Sequence, residues 1–187
     1  MENTEKGLLR YIWEVVYAHT IAYTIAGILA MSILNYEELW ATEILSSFYL
    51  PIDSPIVSLA MILQIPRGIL IALFILPLRK AFFEEKYGLW KLGLIVFGFS
   101  LISTIGAPWA SYESYIYTKF PLNIQIMGYP ESIIYIGLFI GILYLTKRFS
   151  HKKIVTVCAI IMMVLICFSS IFSYITVKGS LSTDGLY

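Results

Sequence analysis

Charge is scarce in this chain. Lys, Arg, Asp and Glu make up only 13% of its 187 residues, against roughly 25% in ordinary globular proteins. No basic run is long enough to hold nucleic acid, and the net charge of +1 says nothing about acidic partners. Histidine is limited to His19 and His151, so an HExxH metalloprotease site is excluded. No GxSxG, no GxxxxGK[ST] and no CxxC is present. The paired Glu84-Glu85 is followed by Lys86-Tyr87-Gly88, not by the EExxxR of the CAAX-protease kind. The two cysteines, Cys158 and Cys167, fall in one apolar run. On a helix they are about 13 Å apart along the axis, beyond disulfide reach. Nothing in these motifs calls for a metal or a cofactor.

Apolar residues are abundant instead. They reach 59% of the chain, too many to be covered by the polar surface available, and the lipid bilayer is the solvent that suits them. Five segments approach or exceed the roughly 20 residues that cross a hydrocarbon core. They are residues 8–34, 56–78, 89–105, 131–145 and 154–175, with Pro130 placed to open the fourth. Helix is the state expected for each, because an open strand in lipid leaves backbone groups unpaired. The polar N-terminus, Met1 to Gly7, is followed by no small-residue cleavage site. The first run therefore reads as a retained helix rather than a signal peptide. The expected fold is an all-α polytopic transmembrane bundle forming one domain.

Orientation follows from lysine and arginine. Residues 35–54 have none, whereas Arg79, Lys80, Lys86 and Lys91 crowd the next connection. Residues 106–130 hold only Lys119, the following turn holds Lys147, Arg148, Lys152 and Lys153, and the tail holds Lys178 alone. Lys6 and Arg10 put the N-terminus on the basic side. The expectation is a cytoplasmic N-terminus and an external C-terminus. Residues 36–50 combine carboxylates with Leu39, Trp40, Ile44, Leu45 and Phe48 in one helical stripe, the pattern of an interfacial helix. The loop before Pro130 carries Trp109, Tyr112, Tyr115, Tyr117, Phe120 and Tyr129, which suit the headgroup zone. Ala22, Ala26 and Ala30 form one small-residue stripe, and Gly137 with Gly141 another. Such stripes let helices approach closely, within the chain or, through Gly137 and Gly141, in a homo-oligomer.

Gln64-Ile65-Pro66-Arg67-Gly68 stands out, because Arg67 falls at the centre of the second span, about 16 Å from either edge. An arginine there costs at least ~2.5–3.5 kcal/mol and usually faces the bundle interior or a wet cavity. Pro66 removes a helical hydrogen bond and can open the helix. An opened half-helix N-terminus beside Arg67 would accept an anion, and Gln64 points the same way as Arg67. The structural alternative is a buried ion pair with Glu14, or a contact with His19 at nearly the same depth. A second candidate cluster is external: Glu113, Tyr117, Thr118, Lys119 and Glu131, the last expected at the start of the fourth helix.

Two stretches, APWASYESYIYTKFPLNIQIMGYPE at 107–131 and QIPRGILIALFILPLRKAF upstream, resemble a pattern of small bacterial polytopic membrane proteins. The resemblance covers roughly residues 62–145. It implies a multi-pass protein of a bacterial inner membrane and no particular chemistry. The leading expectation for function is binding or translocation of a small solute or anion around Arg67. The other expectations are a structural or assembly partner of a membrane complex, and an intramembrane enzyme.

Overall fold

The structure is a computed structural model and describes residues 2–33, 38, 40–47, 49–99, 119, 121–149 and 153–183, with side chains except at 2–6, 44 and 181–183. Among these residues the chain is all-helical. The elements are α1 (Glu2–Ile33), the one-turn α2 (Glu43–Ser46) and α3 (Pro55–Ser58), α4 (Gln64–Ile75), α5 (Gly88–Phe97), α6 (Leu122–Arg148) and α7 (Lys153–Thr183). A 3-10 turn (Leu76–Leu78) and a π turn (Lys80–Glu84) link α4 to α5. Three helical stretches are long and apolar enough to cross a membrane: Gly7–Ile33, Leu122–Arg148 and Lys153–Ser180. Their outward-facing Ile, Leu and Phe side chains leave lipid as the medium they fit, so this is a membrane protein.

The bundle is built around α1. α4, α6 and α7 pack on it, α5 packs on α6, and α3 packs on α7. Ala18, Ala22, Ala26 and Ala30 are each at most 2% exposed, so the expected small-residue stripe lies inside the bundle and lets neighbours close on α1. α4 and α6 both run antiparallel to α1. Tyr11 Oη donates to the Ala72 carbonyl at 2.9 Å, whereas His19 meets Gln64. Tyr17 Oη and Thr146 Oγ1 are hydrogen-bonded at the far end of α6, whereas Ala30 packs with Ile124.

Several expectations change. The second segment is not one helix over 56–78. Residues 59–63 are irregular, with i to i+3 bonds from Ala60 N to Val57 O and from Gln64 N to Met61 O. Side chains satisfy the carbonyls that this irregularity frees. Ser170 Oγ donates to Ser58 O at 2.8 Å and Gln64 Nε2 to Ala60 O at 3.0 Å. Ser170→Ala is expected to cost about 1 kcal/mol, read as a lower unfolding midpoint in detergent; an unchanged midpoint would show that the contact does not anchor α7 to α3.

α5 ends at Phe97 and passes into a π turn at Gly98 and Phe99; the α-helix is too short to span by itself, and residues 100–105 of the expected third span lie outside the described residues. Pro130 does not open the fourth helix but sits inside α6, which begins at Leu122. Ser132 Oγ bonds the Gly128 carbonyl at 3.1 Å beside the proline, and Ile124 and Gln125 are buried, so packing outweighs the lost backbone bond. Glu131 is consequently mid-helix. Of the expected interfacial helix, α2 is described and Glu38 and Trp40 are helical, while residues 36, 37, 39 and 48 lie outside the described residues. Leu45 is 0% exposed and packs on Ala30 and Ile124, and Trp40 Nε1 donates to Leu50 O at 2.8 Å. Of the expected stripe, Leu45 and Trp40 make contacts inside the chain, and Leu39, Phe48 and the Ile44 side chain lie outside the described residues. The glycine pair of α6 also differs, because nothing lies within 4 Å of a Cβ built at Gly137 or Gly141. Close packing within the chain is therefore not their role among the described residues.

Candidate functional site

A polar chain crosses the bundle midway along α1, where apolar contacts would be expected. His19 is 0% and Gln64 7% exposed. His19 Nδ1 lies 2.7 Å from Tyr135 Oη on α6, and its Nε2 lies 3.2 Å from Gln64 Oε1 on α4. Arg67 Nη1 donates to the same Gln64 oxygen at 3.4 Å, and its guanidinium stands 5.9 Å from the centre of the Tyr23 ring. Because the Gln64 amide NH₂ is committed to Ala60 O, its oxygen must accept. His19 Nε2 then donates, and Nδ1 of the neutral ring accepts from the Tyr135 hydroxyl. The chain runs from Tyr135 through His19 to Gln64, where Arg67 joins it.

Its geometry depends on close backbone approach. A Cβ at Gly68 would sit 3.0 Å from Val16 Cα and 3.4 Å from His19 Cδ2, so glycine is what lets α4 close on α1 at this level. The His19 ring is also held by edge-on contacts to Tyr135 and Phe139, centroids 5.6 and 6.3 Å away. Tyr135 and Phe139 stack on each other at 5.9 Å. The ring is fixed on both its nitrogens and its edges.

His19, Gln64 and Arg67 are thus brought together as the sequence suggested. Glu14 is not part of this group. It pairs with Arg10 one turn away at 2.9 Å, because an i,i+4 partner on the same helix needs no tertiary adjustment. Among the described residues no carboxylate forms an ion pair with Arg67, which corrects the expected Glu14–Arg67 pair. The helix N-terminus is corrected as well. Gln64 N and Ile65 N already donate to the Met61 and Ile62 carbonyls at 3.2 and 3.1 Å, and Pro66 has no N–H. The start of α4 therefore presents few free donors, and the positive charge available there is the guanidinium itself. Arg67 is exposed while its partners are buried.

Glu113, Tyr117 and Thr118 lie outside the described residues. Lys119 is exposed, and Glu131 stands one turn before Tyr135 on α6. Tyr135 and Tyr23 were not singled out from the sequence. The available signal was that Glu131 and Tyr135 stand at i,i+4 within the expected fourth span, a spacing that puts both on one helix face. Among the described residues no group of His, Cys, Asp and Glu could hold a metal ion. No protein-family model matches the chain, nor does any curated protein or solved structure, so the reading of the site rests on its own geometry.

Proposed function

We propose that this is a five-span protein of a bacterial inner membrane, with its N-terminus in the cytoplasm and its C-terminus outside, that binds and translocates a small anionic solute at Arg67. The topology draws support from helix direction. α4 and α6 both run antiparallel to α1, which supports a return crossing between them that includes α5. The basic segments also gather at one end: Arg79 lies 5.0 Å from the Tyr11 ring near the start of α1, and Lys86 lines one groove with Lys147 and Arg148. That is the arrangement favoured on a cytoplasmic face.

One observation carries the functional reading. Arg67 is an exposed cation at mid-bundle depth, and among the described residues its guanidinium makes a single long hydrogen bond, to Gln64. A guanidinium has five N–H donors, and leaving them unmet in lipid is costly. Water and an anion satisfy them. The buried chain behind Arg67 holds Gln64 in place and leaves the outer edge of the guanidinium to the solute.

The test is anion flux from proteoliposomes loaded with chloride, sulfate or acetate. Wild-type protein is expected to release at least one of them faster than protein-free vesicles. Arg67→Gln is expected to lower that rate about ten- to hundredfold, with the unfolding midpoint nearly unchanged because the side chain is exposed. No flux above the empty vesicles, or equal flux from Arg67→Gln, would sink the proposal.

A further inference from the structure

A groove of about 1010 Å³ runs between α5 and α6, away from the Arg67 chain. Its floor is glycine. Gly93 admits Ile140, whose Cγ1 would be 3.2 Å from a Cβ there, and the space above Gly137 and Gly141 is open. Its mouth is cationic, formed by Lys86, Lys147 and Arg148. Glu85, the acidic residue at that end, is already paired with Lys91. Among the described residues no carboxylate pairs with Lys147 or Arg148. From Gly137 to Arg148 the groove follows α6 for about 16 Å, close to half of a ~30 Å hydrocarbon core. Trp90 and Tyr144, both exposed, flank it, as residues with an apolar body and a polar tip do near headgroups.

We infer that this groove holds one anionic phospholipid, with its phosphate on Lys147, Arg148 and Lys86 and an acyl chain along the glycine floor. An apolar channel one leaflet deep ending in three cations matches that molecule in both shape and charge. Basic pockets between membrane helices on the cytoplasmic side suit such headgroups. A second copy of this chain fits less well. Two copies in the same membrane orientation would bring their basic mouths to one level, where like charges repel.

The test is lipid retention by the full chain in native mass spectrometry, comparing phosphatidylglycerol with phosphatidylcholine of the same acyl chains. Wild-type protein is expected to keep one phosphatidylglycerol in clear preference to phosphatidylcholine. The double variant Lys147→Gln/Arg148→Gln is expected to weaken phosphatidylglycerol binding about thirtyfold and erase the preference. Gly141→Leu, whose side chain enters open space, is expected to displace the lipid while circular dichroism and the unfolding midpoint stay as in wild type. Equal retention of both lipids by wild type would overturn the inference, as would a preference that survives the double variant. So would a dimer found in place of the lipid adduct and dissociated by Gly141→Leu, or competition by glycerophosphoglycerol as strong as by the intact lipid. None of these outcomes touches Arg67, so this inference and the anion-site proposal fail separately.

Discussion

Replacing Gly88 with alanine is expected to detach α5 from the turn that precedes it and to destabilise the protein by at least about 1–3 kcal/mol. Gly88 opens α5 directly after the π turn, and its N–H bonds the Glu85 carbonyl at 3.2 Å. A Cβ there would fall on the backbone carbonyl oxygens of Phe82 and Ala81. Backbone atoms cannot rotate aside as a flexible side chain can, so relief requires the turn or the helix to move. Phe82 and Leu89, on either side of this turn, belong to the main core, so the displacement spreads into the bundle. Gly137→Ala and Gly141→Ala are the controls. Neither Cβ meets anything within 4 Å, and alanine is favoured over glycine in a helix by up to about 1 kcal/mol. Unfolding midpoints in detergent should fall sharply for Gly88→Ala and hold or rise for the controls. A Gly88→Ala protein as stable as wild type would mean that the turn is not this tight.

The second large effect concerns His19. His19→Phe keeps a ring of similar shape between Tyr135 and Phe139 but removes both nitrogens. The Tyr135 hydroxyl then loses the partner at 2.7 Å, and Gln64 Oε1 keeps only the long bond from Arg67. A polar group stranded in a buried site costs about 1–3 kcal/mol. Tyr135→Phe removes the hydroxyl alone. In a double-mutant cycle the pair should cost less than the sum of the single variants, by about 0.5–3 kcal/mol. With both substitutions made, two phenyl rings face each other and one polar group fewer is stranded. Strict additivity would show that the two residues do not interact. The cycle also separates packing from polarity, because ring stacking is largely kept in all three variants.

Much of the architecture was legible from hydropathy. The long runs of α1, α6 and α7 read as helices because lipid-facing chains cannot hide backbone polarity any other way. The boundary of α6 was misread for a local reason. Leu122 to Pro130 contains Asn123, Gln125, Gly128 and Pro130, a composition typical of a loop. The helix persists because Ile124 and Gln125 are buried, the former against Ala30 and Leu45, contacts that no window of sequence contains. The irregular stretch before Gln64 was half anticipated, with Pro66 identified but the break placed at the proline itself. The proline instead falls in the first turn of α4, where a missing N–H does least harm.

The candidate site divides along the same line. Arg67 and His19 were conspicuous because polar groups in apolar runs are expensive, and that expense follows from residue type and depth alone. The partner of each depended on how the helices are rotated about their axes. Glu14 turned to Arg10 on its own helix, and Tyr135 entered the site because α6 presents it to α1. From sequence alone came the solvent, the helical state, the grouping of basic residues and the presence of a polar residue needing a partner. The tertiary structure alone decided which residues became partners. In lipid a polar group must be satisfied by a neighbouring helix, and the choice of neighbour is set by close contacts such as Gly68 against Val16, which are properties of two helices and not of either one.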